Sequence, residues 1–155
     1  MNIYSWLKGH ALSRPDKAAL KFRDTVITYA ELANLTGSLG TALKDAGIGR
    51  GDHVTTMLPN IPEFVISYMA VVGIGAVVVP VNPSFTSREL SHVLRDSGSR
   101  ALIMEFTNAD TYESIRSQHP LNTVITTGEG GNFSEWTSGK ARDVMEDMDP
   151  DDTAA

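Results

Sequence analysis

Apolar and polar positions along this chain change period several times, and each change marks an element. Ile3, Trp6, Leu7 and Leu12 recur at helical spacing, so residues 3–13 are expected to form an amphipathic helix stopped by Pro15. Two short apolar segments, 18–22 and 26–27, flank Arg23-Asp24-Thr25 and predict a small hairpin. Leu32, Leu35, Leu39 and Leu43 then line one side of a second helix, which Gly47 ends. Its start is marked by Thr28 and Glu31, spaced for a capping box in which the hydroxyl and the carboxylate each satisfy a backbone N–H of the first turn. Asn60-Ile61-Pro62-Glu63 and Thr86-Ser87-Arg88-Glu89 repeat that cap logic, with Gly75 and Gly98 as the matching stops.

Between the helices lie residues 53–58, 76–79, 101–104 and 123–126, each short and rich in Val, Ile, Leu, Met or Thr, with a further helix expected over 110–118. Continuous apolar runs, as opposed to alternating ones, belong to strands covered on both faces. The expected fold class is therefore α/β, a three-layer α/β/α arrangement around a mainly parallel sheet. Residues 1–127 carry this alternation. From Gly128 the period decays, and 128–155 reads as a loop and acidic tail with one short helix near 133–136 and a turn at Asp149-Pro150-Asp151-Asp152.

Charge sharpens that division. Six of the 19 acids fall at Asp143, Glu146, Asp147, Asp149, Asp151 and Asp152, leaving 13 acids against 13 Lys and Arg in residues 1–142. A neutral body has no basic stripe for a phosphate backbone, so no nucleic-acid partner is expected. The absence of cysteine excludes disulfides and thiolate chemistry, and the scattered His10, His53, His92 and His119 suggest no metal site. Residues 64–81 are uncharged over 18 positions, but Gly73, Gly75 and Pro80 interrupt them and valines replace the helical period midway. A buried helix followed by a buried strand fits better than a transmembrane segment. With no signal peptide in MNIYSWLKGH, a cytoplasmic location is expected.

Generic catalytic motifs are missing. Gly73-Ile74-Gly75 lacks the third glycine of a dinucleotide fingerprint and precedes a strand, and Ser134 stands where a phosphate loop ending in Ser138-Gly139-Lys140 needs its first glycine. No glycine-flanked serine forms a nucleophile elbow.

An ordered set of longer segments is more specific. Ile27-Thr28-Tyr29-Ala30-Glu31-Leu32 resembles the first core motif of the adenylate-forming superfamily. Gly51-Asp52-His53-Val54, Leu58-Pro59-Asn60-Ile61-Pro62-Glu63-Phe64 and Gly75-Ala76-Val77-Val78-Val79-Pro80-Val81-Asn82-Pro83 follow in that family's order, the last being similar to its second core motif. Arg88-Glu89-Leu90 and Asp96-Ser97-Gly98-Ser99-Arg100 continue the match, and Asp151-Asp152-Thr153-Ala154 resembles the lead-in to the third. The Val-Asn-Pro form of the second motif is similar to that of AMP-forming acyl- and aryl-CoA synthetases.

The resemblance implies a partial N-terminal subdomain of the adenylate-forming fold, from a fatty- or aryl-acyl-CoA synthetase that uses ATP, Mg²⁺ and CoA with an acyl substrate. It also implies that the phosphate loop, adenine-binding residues and catalytic lysine lie beyond Ala155. This chain is accordingly expected to hold no catalytic residue, metal or cofactor and to be inactive alone. By the same resemblance Asn82, Pro83 and Ser84, at a strand's carboxyl end, lie near the CoA nucleotide site, although a Pro-rich turn that merely re-aims the chain into the next helix is the favoured account of them. The rival expectation is a stand-alone binding module that self-associates through an exposed sheet edge as a homo-oligomer.

Overall fold

The computed structural model describes residues 3–143 and Glu146. Strands β1 (Ala18–Phe22) and β2 (Thr25–Thr28) pair antiparallel as a separate hairpin, turning at Arg23 with φ 52°. Strands β3 (His53–Met57), β4 (Val77–Pro80), β5 (Ala101–Glu105) and β6 (Thr123–Thr127) form the main sheet in the order β4-β3-β5-β6, with every neighbouring pair parallel. The expected α/β/α fold is therefore what forms, and residues 64–81 divide into a helix and a strand. No helix among the described residues is long and apolar enough to cross a membrane.

The apolar strand runs are covered on both faces, and residue parity separates the two. Val54, Ala101, Ile103 and Ile125 join one core with α1 (Ile3–Ser13), α2 (Tyr29–Asp45) and α3 (Pro62–Gly73). Met57, Leu102 and Met104 join a smaller core with α4 (Ser87–Ser97) and α5 (Ala109–Glu113). α2 and α4 start with complete capping boxes, Thr28 with Glu31 and Thr86 with Glu89, and Gly98 closes α4 at φ 63°.

Three local expectations fail for identifiable reasons. Of the four residues assigned to the apolar face of α1, only Leu7 is buried; Ile3, Trp6 and Leu12 are exposed, Trp6 by 61% and Leu12 by 80%. Tyr4 takes the inner position because its ring packs beside Leu7 while its hydroxyl donates to Ala33 O at 3.3 Å, which satisfies its polar tip. Asn60 does not cap α3. The cap position is Ile61, without a side-chain bond, and Pro62 at the first helical position needs no acceptor because it has no N–H. The helix expected over 110–118 is five residues long, follows a 3-10 turn at Phe106–Asn108, and gives way after Ser114 to single turns.

Missing periodicity after Gly128 does not mean missing contacts. α6 (Phe133–Thr137) packs on α2, and the next residues run along that helix as a strap. Ser38 Oγ donates to Gly139 O at 2.7 Å, and Arg142 N donates to Thr41 Oγ1 at 2.9 Å. Arg142 pairs with Asp45, Lys8 with Asp143 and Lys44 with Glu146. A Cβ at Gly37 would stand 2.9 Å from the Ala141 Cβ, so the small residue is what lets the strap lie close. The expected turn at 149–152 and the Asp151–Ala154 motif lie outside the described residues.

Candidate functional site

Open parallel sheets bind ligands outside the carboxyl ends of their strands, where connections leave in opposite directions. Here that point lies between β3 and β5. The chain leaves β3 through α3 on one face to reach β4, and leaves β5 through α5 on the other to reach β6. The loops gathered at this end are 58–61, 81–86, 106–108 and 128–132.

Asn82, Pro83 and Ser84 sit in the second of these. Asn82 Oδ1 accepts from Ser84 N at 2.8 Å and Asn82 O accepts from Phe85 N at 3.1 Å, so the turn is held by its own first residue. Asn108 Nδ2 donates to Pro83 O at 3.2 Å, tying the loop after β4 to the loop after β5 across the end of β3. Asn82 and Ser84 remain exposed. The turn reading is thus realised, and it leaves two polar side chains facing solvent at the end of the sheet where ligands bind. Sequence reasoning missed Asn108, whose only local signal is its place just after a strand.

Beyond Phe85 the same surface opens into a cleft of about 820 Å³ between α4 and the turns after α5, lined among others by Arg88, His92, Arg95, Ser114 and Gln118. Arg95 and His92 both engage Asp96, and Arg95 Nη2 lies 2.9 Å from His92 Nδ1. Glu89 also borders the cleft, but its carboxylate is occupied at the cap. The Thr86 N–H, then the Thr86 hydroxyl, hold it below the usual carboxylate range. On the other face, two shallower clefts of about 330 and 520 Å³ share Phe22, Ile61 and Pro62 beneath the hairpin, and the smaller is nearly all apolar.

The arrangement supplies surface for binding and, among the described residues, no assembled catalytic group. Ser91 Oγ lies 2.7 Å from His119 Nε2, yet no carboxylate orients that imidazole among the described residues, and the pair joins α4 to the turns before β6. Among the described residues no group of three or more His, Cys, Asp or Glu could hold a metal ion. The two glycine patterns set aside on sequence grounds are also structural: Gly75 ends α3 at φ 78°, and Gly139 lies in the strap. The glycines at 128–131 precede a five-residue helix and hold the chain against β6, so they form no phosphate cradle.

Residues 7–155 match the family described as AMP-binding enzyme. A long-chain-fatty-acid–CoA ligase of Salmonella typhimurium is 32% identical over 127 residues, which are 81% of this chain and 23% of that ligase. A ligase of the same name from Bacillus subtilis is 37% identical over 101 residues, covering 65% and 18%. The crystal structure of the N-terminal domain of FACL13 from Mycobacterium tuberculosis superposes with a TM-score of 0.87 at 28% identity, covering 98% of this chain and 40% of that one. The chain thus spans about a quarter of the length of the curated relatives it matches.

Proposed function

The chain belongs to the AMP-binding enzyme family, and on that premise we propose that it is the N-terminal portion of a fatty- or aryl-acyl-CoA ligase acting in the cytoplasm. In the complete enzyme a substrate carboxylate attacks the α-phosphorus of ATP, with Mg²⁺ offsetting phosphate charge, and expels pyrophosphate. The CoA thiol then attacks the acyl-adenylate carbonyl, losing its proton and expelling AMP. Both steps need positioned donors and cations around the reacting phosphate and carbonyl. No such assembly is found among the described residues, which supports reading this part as inactive in adenylation by itself.

The observation that supports this reading most directly is the family match running almost end to end, together with the N-terminal subdomain fold. The role we assign to this part is to shape the CoA side of the site. Asn82 and Ser84 offer hydrogen bonds, Pro83 fixes the turn between them, and Arg88 at the start of α4 supplies a cation for a nucleotide phosphate. Calorimetric titration of the purified chain with CoA tests the assignment. Saturable heat that Asn82→Ala reduces is expected, and a flat titration overturns it. Pyrophosphate release from ATP and a panel of carboxylic acids tests the inactivity, which any turnover above a blank would contradict.

The rival reading, an assembly module that pairs through its sheet edges, has weaker support. β4 carries Pro80 and so lacks an edge donor there, and the outer side of β6 is occupied.

A further inference from the structure

The glycine-rich stretch after β6 carries no recognisable motif, yet it is tightly placed. Gly128 and Gly130 adopt φ 86° and 82°, conformations that side chains resist, and Gly131 N donates to Gly128 O at 3.0 Å, so the chain doubles back on the strand it has just left. A Cβ at Gly131 would lie 2.4 Å from Thr126 O, closer than any side chain permits. The recoil delivers Asn132 to the free edge of β6. Thr126 N donates to Asn132 Oδ1 at 2.8 Å, Asn132 Nδ2 donates to Val124 O at 3.4 Å, and Asn132 N donates to Thr126 Oγ1 at 3.2 Å.

The Thr126 N–H and the Val124 C=O are the donor and acceptor that one residue of an added parallel strand would engage opposite Ile125. The carboxamide, which carries both complementary groups, stands in for that residue. The strand it guards needs guarding: Thr123–Thr127 reads TVITT, uncharged and β-branched throughout, and β6 has a partner on one side only. No lysine or proline interrupts it, whereas the opposite edge, β4, ends in Pro80.

We propose that Asn132 is an edge plug, held in place by the glycine recoil, that prevents β6 from pairing with β6 of a second copy of this chain. A two-fold pairing would set the two strands antiparallel and use the same outward groups that Asn132 now occupies. The plug is independent of the ligase reading, since it concerns hydrogen bonds of β6 whatever the chain catalyses.

Sedimentation velocity across a concentration series, with hydrogen exchange read at Thr126, tests the plug. Asn132→Ala removes both groups, and Gly131→Ala lifts the loop without touching the amide; both variants are expected to shift from monomer to dimer or larger species. At concentrations low enough to keep the variant monomeric, the Thr126 amide should exchange about tenfold faster, the equivalent of one lost hydrogen bond. Adding Thr126→Lys to Asn132→Ala places a charge on the bare edge and should restore the monomer, an outcome that unfolding would not give. An Asn132→Ala protein that stays monomeric with Thr126 still protected overturns the proposal, and so does association that the lysine fails to reverse. Should the single variants not fold, the native chain decides. Slow exchange at Thr126 in dilute monomer is expected, and exchange as fast as in an exposed turn refutes it.

Discussion

The two faces of the main sheet solve the same covering problem by different means. On one face, α2 and α3 lie between the strands and a further layer made of α1, α6 and the 138–143 strap, and Leu39, Leu43, Val71 and Ile74 are completely buried. On the other, α4 and the short α5 are a single layer with solvent behind them, and only Leu90 and Leu94 of α4 are buried. A helix packed on two sides is apolar almost all round, as α3 is; a helix packed on one side shows a sharp stripe, as α4 does. The thick face is therefore specified by packing and close approach, and the thin face by a narrow seam.

Removing equal volume from each face tests the contrast. Leu39→Ala opens a cavity among helices held on both sides, where collapse is hindered, and should cost about 4 kcal/mol in urea unfolding. Leu94→Ala empties a site backed by a single layer of helices and should cost about 2 to 3 kcal/mol. Equal losses would mean that the outer layer adds no rigidity. Next in size is the strap. Gly37→Leu drives a side chain into Ala141 and should destabilise by about 2 kcal/mol while exposing the Arg142 amide to exchange. Gly9→Ala, on open helix surface with nothing within 4 Å, should instead stabilise by up to about 1 kcal/mol. If both substitutions moved stability the same way, the strap would not be the reason for Gly37.

Helix starts give a finer comparison. Thr86→Ala removes the acceptor for the Glu89 N–H and the partner of its carboxylate, and should cost about 1 kcal/mol. Asn60→Ala should change stability by no more than a few tenths of a kcal/mol, because α3 is started by Pro62 and not by a side chain. A large loss at Asn60 would point to a different role for that residue.

This pair also shows what the sequence makes legible. Thr28 with Glu31, and Thr86 with Glu89, are readable because both partners of each cap lie within four residues and the chemistry is local. The strands and their order of appearance are readable because burial on two faces leaves unbroken apolar runs. Asn60 is also a good capping residue type shortly before a helix, but Ile61 takes the cap position and Pro62 removes the need for a side-chain acceptor. The inner face of α1 depends on Ala33, 29 residues away from Tyr4, and the strap on contacts about 100 residues apart. No window of local sequence contains such partners. Asn132 illustrates the opposite difficulty: its partners at Val124 and Thr126 are close in sequence, but a carboxamide posing as strand backbone has no period to betray it. At the candidate site, the Asn82–Ser84 turn was legible from residue type, whereas its tie to Asn108 required the β4-to-β5 crossover.

The smallest effect separates the faces by acidity. Glu31 on the thick face and Glu89 on the thin face are both held below the usual value of 4.5, first by the backbone N–H of the capping threonine and then by its hydroxyl. A carboxyl whose folded pKa is lower than its unfolded one contributes stability that is fully present above the unfolded value and is lost as pH falls through the folded one. Glutamine keeps the acceptor but carries no titratable charge, so the stability difference between the native chain and the Glu31→Gln/Glu89→Gln variant should be constant above about pH 5.5 and shrink below about pH 4.5. Because each cap uses the same two bonds in the same exposed setting, the two single variants should lose their differences over the same pH interval in urea titrations at stepped pH. A later loss at Glu31 would show that the thick layer, and not the cap alone, sets its acidity.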